Sequence, residues 1–155
     1  MRTLTVTACT AAVLLAGAAP ALADNGPQPW RADYSGSASP TSTGIAFTGS
    51  GLATALGRVT TSGSATITGG SSACSGGIAN LNTQTLQAAN GDTLTVQSND
   101  VACPDGTPGG YNGTGSWQVV GGTGRFAQTH GNGQLSGHMD LSAGTYAVRL
   151  TGTLG

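Results

Sequence analysis

The chain contains no lysine and no glutamate. Five arginines and six aspartates carry its charge, and only 7% of its 155 residues are charged. Each absence removes a class of function. A P-loop needs a lysine on the β- and γ-phosphates, and an S-x-x-K nucleophile needs a lysine base; neither can be built. Nucleic-acid binding rests on phosphate neutralisation by clustered Lys and Arg, so nucleic acid is not an expected partner. The longest apolar run falls short of the ~20 residues a spanning helix needs, and no basic amphipathic segment occurs, so membrane insertion is not expected. G-x-S-x-G, H-E-x-x-H and paired C-x-x-C are all missing. No catalytic residue, metal or cofactor is therefore assigned.

What is present begins with Met1-Arg2, an apolar run AAVLLAGAA over 11–19, and Ala21-Leu22-Ala23 before Asp24. That order describes a secretory signal peptide over 1–23. Val6-Thr7-Ala8-Cys9 superficially resembles a lipobox, but Cys9 precedes the apolar run instead of closing it, so lipidation is not expected. Cleavage after Ala23 leaves 132 residues, one domain's worth, with four arginines against six aspartates, a balance of −2. The expected location is secreted, extracellular. Cys74 and Cys103 are the two cysteines left there, and an oxidising compartment makes a disulfide between them the default. The alternative is two free thiols, though no nearby Lys or His would activate either.

After residue 24 no long 3.6-residue period survives, because Gly or Pro interrupts nearly every window of a dozen residues. Period-2 stretches recur instead, and many short strands with glycine turns mean an all-β sandwich or barrel. One hairpin is expected between 134–142 and 145–153 around Ala143-Gly144. Its register places Leu141 opposite Tyr146 and Met139 opposite Val148. A second spans 83–96. A two-residue Asn-Gly turn would put Leu86 opposite Thr95. A three-residue loop, Ala89-Asn90-Gly91, puts Leu86 opposite Leu94 with Gly91 left-handed, and buries both leucines together. Residues 97–115 read as a loop tied down by Cys103, and 24–33 as an N-terminal tail or lead-in strand before a domain over 34–155. The inward positions on these registers are Ile67, Leu86, Leu94 and Val96, then Leu135, Met139 and Leu141, then Tyr146, Val148 and Leu150. None is a carboxylate.

The most patterned stretch is VVGGTGRFAQTHGNGQLSG, 119–137. A dinucleotide fingerprint would need a third glycine and a following helix, and the glycines from Gly131 to Gly137 forbid the helix. The stretch therefore reads as a structural turn, Gly121-Gly122-Thr123-Gly124-Arg125-Phe126, after a strand over 116–120, with Phe126 folding back as a hydrophobic plug.

This segment resembles the GGTG(K/R)F-x-x-A-x-G segment of dirigent proteins and the GGSG-x-F segment of allene oxide cyclases. Residues 53–60 and 89–94 resemble segments of secreted bacterial proteins that end in the same GGTGRF stretch. The resemblance covers roughly residues 45–153. It implies an eight-stranded antiparallel barrel of the allene-oxide-cyclase type, similar in shape to lipocalins. It also implies chemistry on apolar small molecules inside the barrel, and a trimer or dimer. No position here matches those families' acidic residues.

Other residues read more simply. His138, near Asp140 and Arg149, reads as a solvated polar face, and His130 lies eight residues before it. Asp92, Asp100 and Asp105 fall in expected turns or loops. Trp30, Tyr111 and Trp117 have the chemistry to stack on a sugar, but Trp117 fits the core better and Tyr111 the cover of the Cys103 loop. Asn112-Gly113-Thr114 is a glycosylation sequon only in a glycosylating host. Arg58 shares parity with Leu56. It either points inward or caps the barrel end on an aspartate. Arg58, Trp117 and Tyr146 are the candidate pocket residues.

Three functions remain. The first is a non-catalytic secreted barrel that binds a small apolar molecule or an extracellular protein; an inward carboxylate in a cavity counts against it. The second is a dirigent- or cyclase-like enzyme on a hydrophobic substrate. It requires a cavity of a few hundred Å³ with Arg58 or an aspartate facing in. The third is an inhibitor or adhesion module that displays the 97–115 loop.

Overall fold

A computed structural model describes residues 26–155. The expected signal peptide over 1–23, with Cys9, lies outside the described residues. Eight strands form one closed antiparallel barrel in chain order. They are β1 Gln28–Pro40, β2 Gly44–Ala53, β3 Gly57–Ser71, β4 Gly77–Ala88, β5 Thr93–Pro104, β6 Gly110–Gly122, β7 Gly131–Asp140 and β8 Thr145–Leu154. β8 pairs with β1, with Val148 opposite Tyr34, so no sheet edge is left open. A single 3-10 turn, Gly124–Phe126, is the helical element among the described residues.

The barrel alternates as a period-2 pattern requires. Outward positions carry hydroxyls, such as Ser35, Ser37, Thr48, Ser62 and Thr66, all exposed. Inward positions carry Ala32, Phe47, Leu86, Leu94 and Leu150, all buried. A lipid-embedded barrel would show an apolar outer band, whereas these outward positions carry hydroxyls.

Two sequence registers can be compared with the strands. In the β4–β5 hairpin Leu86 faces Leu94, and Gly91 has φ +89°, as the three-residue loop requires. Both leucines are fully buried. In the β7–β8 hairpin the register is two residues away from the expected one. Met139 faces Tyr146 and Gly137 faces Val148. The turn is longer because Asp140 Oδ1 accepts the Ala143 N–H at 2.9 Å and Leu141 N–H is drawn to Gly109 O at 2.8 Å. A shift of two keeps every side chain on its expected face.

The segment 97–115 is not a loop. Residues 97–104 complete β5 and 110–115 begin β6, so the connection is 105–109. Residues 28–33 are part of β1 and carry the buried Trp30, so the barrel begins before residue 34. Cys74, in the β3–β4 connection, is bonded to Cys103 of β5, with Cα atoms 6.0 Å apart.

The two ends of the barrel differ. The end holding the β2–β3, β4–β5 and β6–β7 connections is solid. Trp30 and Trp117 meet there with ring centroids 5.1 Å apart, over Phe126 and the Leu86–Leu94 pair. The glycine stretch closes this end by docking on the Asn90–Thr93 turn. Thr123 N–H donates to Thr93 O at 2.9 Å, Thr93 N–H donates to Thr123 Oγ1 at 3.0 Å, and Arg125 Nε donates to Asp92 at 3.0 Å. The GGTGRF and ANGDTL segments, 33 residues apart at Arg125 and Asp92, are thus one structural unit.

Candidate functional site

The opposite end is hollow. A cavity of about 510 Å³ opens between the β1–β2 and β7–β8 turns and the facing ends of β5 and β6. Glycine makes the space. Gly113 of β6 faces Gly137 of β7, and both inward positions lack a side chain. A Cβ on Gly113 would meet nothing closer than Asp100 Oδ2 at 3.8 Å. At Gly63 and Gly49, by contrast, a Cβ would strike the Phe47 ring at 2.6 Å and the Tyr146 hydroxyl at 2.8 Å. Those two glycines let the aromatic rings lie across the barrel.

One wall is apolar, formed by Ile45, Phe47, Leu135, Met139 and Val148. The facing wall is polar. On β4 the inward positions Asn80, Asn82 and Gln84 succeed one another, and on β5 Ser98 and Asp100 lie opposite Asn82 and Asn80. Asn82 Nδ2 donates to Asp100 Oδ1 and, at 3.3 Å, to Ser98 Oγ. Asn80 Nδ2 donates to Asp100 Oδ2 at 3.4 Å. Beneath the cavity, the Tyr34 hydroxyl donates to Gln84 Oε1, and the Thr61 and Tyr146 hydroxyls lie 3.0 Å apart. Burial pushes the Tyr34 and Tyr146 hydroxyl pKa values up, so both phenols stay protonated at neutral pH.

Asp100 is the inward carboxylate that the sequence reading did not find. It sits in β5, not in a loop. The signal was available: the phase set by Leu94 and Val96 reaches Ser98 and Asp100 when continued. The composition around Cys103 reads as irregular, which ends the visible phase at Gln97. Burial pushes Asp100 up to about 6, partly offset by the Asn80 hydrogen bond. Asp33 and Asp105 move the other way, to about 2. Arg31 and then Arg149 hold Asp33 down. The Thr107 hydroxyl and N–H, then His138, hold Asp105 down.

These shifts set a stability curve. Asp33 and Asp105 must be protonated as pH falls toward 2, so stability rises from about pH 2 to about pH 4. Asp100 keeps its proton in the native state where the unfolded chain has lost it, so stability declines as pH rises from about 4 to about 6. The expected loss is about 1–2 kcal/mol after allowance for solvent screening. Melting followed by circular dichroism across pH checks this: Asp100→Asn abolishes the decline and leaves the acid limb intact.

The candidate pocket residues fall in three places. Tyr146 lines the cavity. Trp117 is buried in the solid end, its indole N–H shared between Gln134 O at 3.1 Å and Thr151 O at 3.2 Å. Arg58 is exposed at that same end and, among the described residues, makes no ion pair. Trp30 is buried too, donating to Thr54 O at 2.8 Å, so neither tryptophan is free to stack on a sugar. Tyr111 lines the cavity instead of covering a loop. Ile67, 50% exposed, and Leu141 sit at the cavity mouth. His138 Nε2 lies 2.9 Å from Asp105, not beside Asp140, and its partner across the sheet is Ala147. Among the described residues no three His, Cys, Asp or Glu side chains converge.

Comparisons with protein-family models, with curated proteins and with solved structures return no match.

Proposed function

We propose that this barrel takes a predominantly apolar small molecule into its open half. The observation that carries the reading is the cavity itself, about 510 Å³ with an apolar wall facing a short polar one. A lone carboxylate and two amides at the polar wall fix a ligand's orientation, while the apolar wall supplies most of the contact. The outer face of hydroxyls suits a protein secreted into water.

The test is a block. Gly113→Phe places a ring in the open space before Asp100 without a backbone penalty, since Gly113 is not among the residues with positive φ. The variant is expected to fold with stability within about 1 kcal/mol of the parent. It is expected to lose at least about tenfold in affinity for a neutral apolar fluorophore such as N-phenyl-1-naphthylamine. Equal fluorophore binding by parent and variant would remove the cavity reading.

A second reading is turnover of such a molecule, along the lines that the dirigent and allene oxide cyclase resemblance implies. Asp100 favours it. The non-catalytic reading was founded on a wholly apolar interior, and the interior contains a carboxylate inside a cavity. The display-module reading loses its motive, because 97–115 is strand over most of its length.

A further inference from the structure

We infer that the molecule the cavity takes is an organic cation, an apolar body carrying a protonated amine that seats on Asp100. The inference rests on the cavity reading above and adds the ligand's charge and the residue that selects it.

Asp100 faces the cavity from β5 with neutral partners only, the amides of Asn80 and Asn82. These orient the carboxylate without neutralising it. The arginines among the described residues lie elsewhere. Arg31 and Arg149 are paired with Asp33, Arg125 is paired with Asp92, and Arg58 is exposed at the solid end. A ligand cation would therefore be the first full positive charge to reach this carboxylate. Room for it exists beside Oδ2, where Gly113 carries no side chain. Phe47, Tyr111 and Tyr146 line the same cavity, and aromatic rings attract an ammonium. Among the described residues no arginine lines the cavity. A ligand carboxylate would set a second negative charge beside Asp100 out of bulk water, which is costly. A neutral ligand leaves the carboxylate uncompensated.

The titratable groups that line the cavity with Asp100 are Tyr111 from β6, His138 from β7 and Tyr146 from β8, and His138 is paired with Asp105. Asn80 and Asn82 from β4 do not titrate.

The experiment displaces N-phenyl-1-naphthylamine from the oxidised protein with three ligands of one chain length: octylamine, 1-octanol and octanoate. At about pH 7.5, octylamine is expected to bind at least about tenfold tighter than 1-octanol, and octanoate more weakly than the alcohol. Asp100→Asn is expected to bring the amine within about twofold of the alcohol while the alcohol's affinity stays in place. In the parent protein the amine's advantage shrinks as pH falls through about 6, and His138→Gln, which removes the rim imidazole, leaves that profile in place. An amine no tighter than the alcohol overturns the inference. So does an advantage that persists in Asp100→Asn, which would put the selecting charge on the rim. If Asp100→Asn does not fold, the parent's pH profile decides, and an advantage unchanged down to about pH 5 overturns the inference. Failure of the neutral fluorophore to enter the parent protein is a different result: it removes the cavity reading, and the cation with it.

Discussion

Phe126→Ala is expected to lower the unfolding free energy by about 3–5 kcal/mol. The ring is 2% exposed and reaches the solid end of the barrel from the β6–β7 connection. Its position is set by backbone around it. Phe126 N–H donates to Thr123 O at 3.1 Å, and the chain enters the 3-10 turn through Gly124 at φ +58°. A Cβ on Gly124 would fall 1.8 Å from the Asp92 carboxylate, so only glycine allows the turn to dock there. The wall around the ring is a hydrogen-bonded barrel that cannot collapse inward, so alanine leaves most of the ring's volume empty. Urea denaturation measures the loss. The fluorophore should still bind the folded variant with unchanged affinity, because the cavity lies at the other end. A loss below about 1 kcal/mol would show that the ring is not a plug.

The Cys74–Cys103 bond should show the second large effect. Replacing both cysteines by serine is expected to cost about 3.5 kcal/mol, from the loop entropy of a 29-residue separation. For a domain of this size that lowers the melting temperature on the order of 10 °C. The bond ties the β3–β4 connection to β5 three residues beyond Asp100. Its removal should therefore loosen the open end first, and hydrogen exchange should rise in 71–77 before it rises in 117–126. Reductant added to the parent protein should reproduce the shift. Equal melting temperatures with and without the bond would mean that the barrel's closure alone restrains this end.

How much of this was legible varies element by element. The β4–β5 register could be read because one placement buried two leucines and put a glycine where a left-handed residue was needed. Phe126 could be read as a plug because the glycines on either side ruled out a helix. The β7–β8 turn differs from its expected register by two residues, because its length is set in part by another connection, through the bond from Leu141 N–H to Gly109 O. No local pattern carries that contact. Trp30 falls within the expected tail for the same reason. Its burial depends on Trp117, 87 positions away, and on closure of β8 against β1. Asp100 was legible in phase but was lost to composition: Asn99, Asp100, Pro104 and Asp105 look like loop residues when taken singly.

By itself, then, the sequence determined an all-β class, sandwich or barrel, and the alternation of its faces, because glycine spacing and period-2 patterning leave antiparallel strands as the way to bury these side chains; the eight-stranded barrel was what the resemblance implied. It also pointed to the disulfide, because the expected signal-peptide cleavage leaves only two cysteines. Tertiary structure alone decided that one end is solid and the other hollow. That difference arises where inward residues from different strands meet: tryptophan of β1 against tryptophan of β6 at one end, glycine of β6 beside glycine of β7 at the other. A cavity is a property of what faces across a barrel, and no window of the chain contains both sides.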